Sequence, residues 1–196
     1  MIKENGCHLV PKASLPNSSC TDEWRLSFSS AEIILSEQLS DFQKKCYLVV
    51  KTIFYINFKE LIDERTVRYL PSYAIKTIKF KLQDDIHQNE WQSLEDQLDY
   101  FSVIQMYYDI LSDSLNEGFL SCYFVEEMNI LSGFSKEFLI QASAVAERIS
   151  KNPLDYTECW DLAAICRLSN GMNQEFALRC KESLRILFER DPDLFT

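Results

Sequence analysis

Two clusters of acidic side chains in this 196-residue sequence are Asp84-Asp85 and Glu95-Asp96-Asp99. Clustered carboxylates can hold the paired metal ions that activate an attacking oxygen and stabilise a leaving one. Here the first pair falls in an expected loop and the second set on the face of an expected helix, so both read as solvated acidic surface. Gly133-Phe134-Ser135 precedes a helical pattern, with no paired acids following it in a strand. The two histidines, His8 and His87, lie in or beside loops and complete no Ser/His/Asp or Cys/His set. No Gly-rich phosphate loop is present. From residue types and spacing alone, no catalytic residue is assigned.

Seven cysteines (Cys7, Cys20, Cys46, Cys122, Cys159, Cys166 and Cys180) are an odd number without CxxC spacing. The N-terminal Met1-Ile2-Lys3-Glu4-Asn5-Gly6 has no apolar signal core. The thiols therefore read as reduced, several of them on apolar helix faces. Cys159 and Cys166 are about two helical turns apart, and with so few histidines nearby they fit a packed interior better than a zinc site. No metal ligands are assigned.

The elements that would position a site are nearly all helical. His8 to Lys12 reads as the end of a strand, Ala13 to Ser19 as loop, and Trp24 to Phe28 as a second short extended segment. Ser29-Ser30-Ala31-Glu32 matches a capping box and predicts a helix over about 31–39; Ser40-Asp41-Phe42-Gln43 matches another and predicts a helix to about Leu61. Phe42, Cys46, Val49, Val50, Ile53, Phe54 and Phe58 recur at three- and four-residue steps along it. Ser72 is expected to cap a third helix, with Ile75, Ile78 and Leu82 on one face. A continuous apolar pattern then runs from Trp91 to Leu115 and stops at Gly118. A short helix is expected from Cys122 to Leu131, and Ser135 opens another that Pro153 ends. Two more helices, at about 155–169 and 173–189, resemble a tetratricopeptide-type hairpin, although an ordinary terminal helix pair fits them better.

Two strings then carry a resemblance. Trp24-Arg25-Leu26-Ser27-Phe28-Ser29 and Pro71-Ser72-Tyr73-Ala74-Ile75-Lys76-Thr77 are similar in type and separation to strings of the Mab-21 family, which includes the cyclic GMP-AMP synthase-like receptors. Cys7 to Lys12 and Gln43 to Lys51 match the segments that belong before and between them, so the resemblance spans roughly residues 7–132. Ala74 stands where the family usually has His. The resemblance implies an all-α, mainly helical lobe, with a short extended N-terminal remnant of a nucleotidyltransferase α+β core. It divides the chain into the remnant and linker (1–29), the helical domain (30–152) and the terminal helix pair (153–196).

The resemblance also implies a nucleotide site. In enzymatic members the residues matching Arg25, Ser27, Lys51, Ser72 and Tyr73 line the nucleotide pocket. An Arg plane and a Tyr ring can stack on bases, and a Lys and a Ser at a helix start can bind phosphate oxygens. Bland roles compete with these: Ser72 as a cap, Tyr73 as a packing residue, Lys51 as a solvated charge and Arg25 as one half of an ion pair. The family's catalytic carboxylates precede the first string, where this sequence has only 23 residues. The chain is therefore expected to be non-catalytic, a fragment or a divergent member that binds a nucleotide such as ATP or GTP, or a protein. Mg or Mn would belong only to an additional catalytic core. The alternatives are the C-terminal lobe of an active cyclic-dinucleotide synthase-like receptor, or a helical scaffold that holds a partner through 153–196.

Charge narrows the partners. Apolar residues make up 46% of the sequence and charged residues 26%, with only 4 Gly and 5 Pro, as in ordinary globular domains. The net charge of −10 is uneven: residues 1–81 carry 12 Lys/Arg against 9 Asp/Glu, and residues 82–196 carry 8 against 21. The acidic part argues against double-stranded DNA, while the mildly basic part suits a nucleotide's phosphates. The His and clustered Cys of the DNA-sensing synthase's zinc insertion are also missing between Phe28 and Cys46. No apolar run is long enough to span a bilayer, and the expected location is the cytoplasm, with the nucleus as the other candidate.

Overall fold

In the computed structural model, which describes residues 7–11 and 24–153, the three- and four-residue apolar spacing folds into six helices, accompanied by two small antiparallel ribbons. The described residues form two units, divided between Asp41 and Phe42. The expected all-α class holds.

In the first unit, β1 (His8–Pro11) pairs antiparallel with β2 (Trp24–Ser27), in a register that sets His8 opposite Ser27, Leu9 opposite Leu26 and Val10 opposite Arg25. Leu9, Trp24 and Leu26 are all exposed. Helix α1 (Ser29–Glu37) begins two residues earlier than the capping box predicts. Phe28 occupies the N-cap position without a side-chain cap bond, and the Ser29 hydroxyl lies 2.6 Å from that of Ser27.

The second unit holds the extended core. Helix α2 (Asp41–Phe58) buries the seven apolar residues that its spacing predicts. The chain then forms a ribbon of β3 (Ile62–Asp63) and β4 (Arg68–Tyr69) before α3 (Tyr73–Asp85), α4 (Gln88–Asp96), α5 (Tyr100–Glu117) and α6 (Lys136–Lys151). Helix α5 packs against α3, α4 and most extensively α6. Val103, Ile104, Tyr108 and Leu111 of α5 are fully buried beside Ile75 and Ile78 of α3 and Ala142, Ala146 and Ile149 of α6 in one apolar cluster. The Tyr108 hydroxyl donates to the Val50 carbonyl at 3.0 Å, tying α5 to α2. Between α5 and α6 the buried Ser112 and Ser143 hydroxyls lie 3.2 Å apart.

Several boundaries differ from expectation. Helix α2 stops at Phe58 rather than Leu61, and the ribbon follows. The continuous pattern from Trp91 is two helices, broken where Leu98 takes a left-handed φ of 51°. Asp99 then caps α5, accepting from the Ser102 amide at 3.0 Å and its hydroxyl at 2.6 Å. Asp84 and Asp85 end helix α3 instead of lying in a loop. Cys122 to Leu131 is irregular rather than helical, because Asn129 takes over the local backbone. Its side-chain oxygen accepts from the Leu120 and Leu131 amides at 2.9 and 3.0 Å, and its amide donates to the Gly118 carbonyl at 2.9 Å. Gly118 ends α5 with a φ of 69°, and Ser135 caps α6 by accepting from the Phe138 amide, both as expected. The two terminal helices expected over 155–189 lie outside the described residues.

Candidate functional site

Of the five residues expected from the resemblance to line a nucleotide site, Arg25 and Ser27 belong to the first unit and Lys51, Ser72 and Tyr73 to the second. Arg25 is the third residue from the end of β2, and its side chain lies outside the described residues. Ser27 ends the same strand, half-buried and paired with Ser29. Lys51 is exposed on α2.

Ser72 stands at the N-cap position of α3, yet it does not cap. Its backbone is already helical (φ −61°, ψ −9°), and its side chain makes no cap hydrogen bond. The capping role expected for Ser72 is thus corrected: a side chain reaches the amides of the next turn from an extended N-cap backbone, which Ser72 lacks. The hydroxyl is exposed, and the first turn of α3 contains no acidic residue to neutralise the positive end of the helix dipole. Tyr73 is half-buried, its hydroxyl 3.7 Å from Cys122 Sγ, with Lys76 Nζ 5.9 Å from its ring centroid.

The structure adds residues that sequence reading passed over. Lys79 is only 5% exposed, with Nζ 4.7 Å from the Tyr47 centroid and 4.1 Å from that of Phe80. Aromatic faces offset part of the cost of drying an ammonium group. The contact joins α3 to α2 one turn before Lys51. Lys81 Nζ donates to Ser121 Oγ at 2.8 Å. Three lysines therefore lie within the six residues from Lys76 to Lys81 of α3. The KTIKFK pattern was visible in sequence; that its central lysine is buried between rings was not.

A second polar centre is Asp63, 1% exposed at the foot of the β3–β4 ribbon. Burial works to raise its pKa, but the Ser135 amide (2.8 Å), the Ser135 hydroxyl (2.9 Å) and the Arg65 amide (3.1 Å) donate to it and hold the pKa down at about 2. It pins the ribbon to the start of α6. Arg68 adds a second clamp, its guanidinium 4.6 Å from the Phe134 centroid and donating to the Ser132 carbonyl at 3.3 Å. Among the described residues, no three His, Cys, Asp or Glu side chains gather as a metal cluster would require.

Helix α5, packed against α3, α4 and α6, and the ribbon fastened to the start of α6 make the described part of the second unit a helical lobe. The family model for the Mab-21 protein HhH/H2TH-like domain matches residues 42–150, which is more than half the chain and most of this unit. The chain belongs to the Mab-21 family.

Proposed function

We propose that this Mab-21 domain binds a purine nucleotide, ATP or GTP, and acts by binding rather than by catalysis. Ser72 and Lys51 would contact phosphate oxygens, and Tyr73 would stack on the base. The observation that carries this reading is the start of α3. Ser72 presents an exposed hydroxyl that capping does not consume, at a helix end without a first-turn acid, followed directly by Tyr73. The positive end of a helix dipole favours anions.

Calorimetric titration with ATP and GTP tests the reading. The Lys51→Glu, Tyr73→Ala double variant removes a charge-assisted contact and a stacking ring, each worth roughly 1–3 kcal/mol. Affinity should fall by about two orders of magnitude while the circular dichroism spectrum is unchanged. Wild-type protein that takes up neither nucleotide, or a double variant that binds as well as wild type, defeats the assignment. A protein partner held by 153–196 is a separate proposal, supported by the helical pattern of that segment; deleting it should then abolish capture without unfolding the rest.

A further inference from the structure

In the segment after α5, three consecutive residues, Ser121, Cys122 and Tyr123, contact side chains of α3. At the first turn, Cys122 Sγ meets the Tyr73 hydroxyl at 3.7 Å. Further along, Ser121 accepts from Lys81 at 2.8 Å. At the last turn, the Tyr123 hydroxyl donates to Asp84 Oδ2 at 2.7 Å, and the Tyr123 ring packs 5.1 Å from that of Phe80. From Tyr73 to Asp84 is about 16 Å of helix, and four side-chain contacts to residues within that span fasten one irregular strap to one helix. Burial and the Asp84 carboxylate both raise the Tyr123 phenol above its ordinary range. Cys122 is fully buried, so its Sγ cannot drift away from the Tyr73 hydroxyl without the strap moving as a whole.

We infer that Cys122 and Tyr123 are positioning residues for Tyr73, setting the plane that its ring offers to a base. The inference rests on the nucleotide reading above. A tyrosine ring has two side-chain torsions, and its stacking energy depends on ring orientation. Holding the hydroxyl fixes the ring from its far end, so the plane is set before a ligand arrives. The proposed Lys51 and Ser72 contacts to phosphate involve no residue of the strap. Loosening the strap should therefore weaken recognition of the base and leave recognition of phosphate intact.

The test compares ATP with inorganic tripolyphosphate, which carries the charge without the base. For Cys122→Ala and Tyr123→Phe, we expect ATP affinity to fall three- to tenfold and tripolyphosphate affinity to stay within twofold. Cys122→Ser, which restores a hydrogen-bonding atom, should recover most of the loss. Equal losses for both ligands, or unchanged ATP affinity, would overturn the inference. A second readout is independent of nucleotide. In protein labelled with 3-fluorotyrosine, the Tyr73 fluorine resonance, assigned by its loss in Tyr73→Phe, should shift or broaden in Tyr123→Phe and Cys122→Ala and return in Cys122→Ser. If it stays in place in Tyr123→Phe, the strap does not position the ring. Wild-type protein that binds neither ATP nor tripolyphosphate would defeat the nucleotide reading alone, and the fluorine spectra would still decide the strap.

Discussion

Asp63 shows how much a single buried carboxylate can organise. Its hydrogen bonds lower it from the ordinary 3.8 to about 2. A carboxylate depressed in the folded state stabilises the fold above its unfolded value and loses that contribution as the pH falls through the folded one. Melting temperature should therefore decline between about pH 4 and pH 2, and Asp63→Asn should flatten that part of the curve while lowering stability at neutral pH. Thermal melts of both proteins across this range check it. Tyr108 makes a simpler case. Its ring is fully buried and its hydroxyl adds a bond to Val50 O, a carbonyl within α2. Tyr108→Phe keeps the packing and should cost about 1 kcal/mol in urea denaturation, the usual worth of one neutral hydrogen bond. A loss of 4 kcal/mol or more would mean that the hydroxyl holds more than this carbonyl.

Among the elements, the β3–β4 ribbon is under local strain. Val67 sits at its turn with φ 54° and 70% exposure. A β-branched side chain in the left-handed region is disfavoured by roughly 1–2 kcal/mol, whereas Asn tolerates it. Val67→Asn should raise the melting temperature by about 2–4 °C. An unchanged or lower melting temperature would show that Val67 packs in a way its exposure conceals. At the other side of the clamp, Ser135 both caps α6 and donates twice to Asp63. Ser135→Ala removes the cap and one of those two donors, so its cost should exceed the typical ~1 kcal/mol of a lost cap. Denaturant titration distinguishes the two values.

For the whole molecule, the buried apolar cluster runs from Phe42 to Ile149 and coincides with the matched domain. A fragment spanning 42–153 should accordingly fold by itself, giving a helical circular dichroism spectrum and one cooperative melt. A fragment that is helical without a cooperative transition would show that residues outside it complete the core. No helix among the described residues is long and apolar enough to cross a membrane. Among the described residues of the acidic part, Asp84 accepts from Tyr123, Asp99 caps α5 and Asp109 accepts from Ser150.

The amino-acid sequence by itself determined the helical class, the buried faces of α2 and α6, the glycine stop at 118 and the serine start at 135, because each depends on residues within a few positions of one another. It also carried the two strings that point to the family. The β3–β4 ribbon, the break at Leu98 and the irregular path after Cys122 were decided by tertiary structure. Asp63 needs Ser135, 72 residues away, and the strap needs α3, about 40 residues away. The same holds for Ser72 and Lys79. A serine before a helix is ordinarily a cap and a helical lysine ordinarily solvated; only the packed fold left the first exposed and uncapping and enclosed the second between aromatic rings. Local spacing encodes periodicity and termini, whereas burial and long-range hydrogen bonds exist only once the helices have packed.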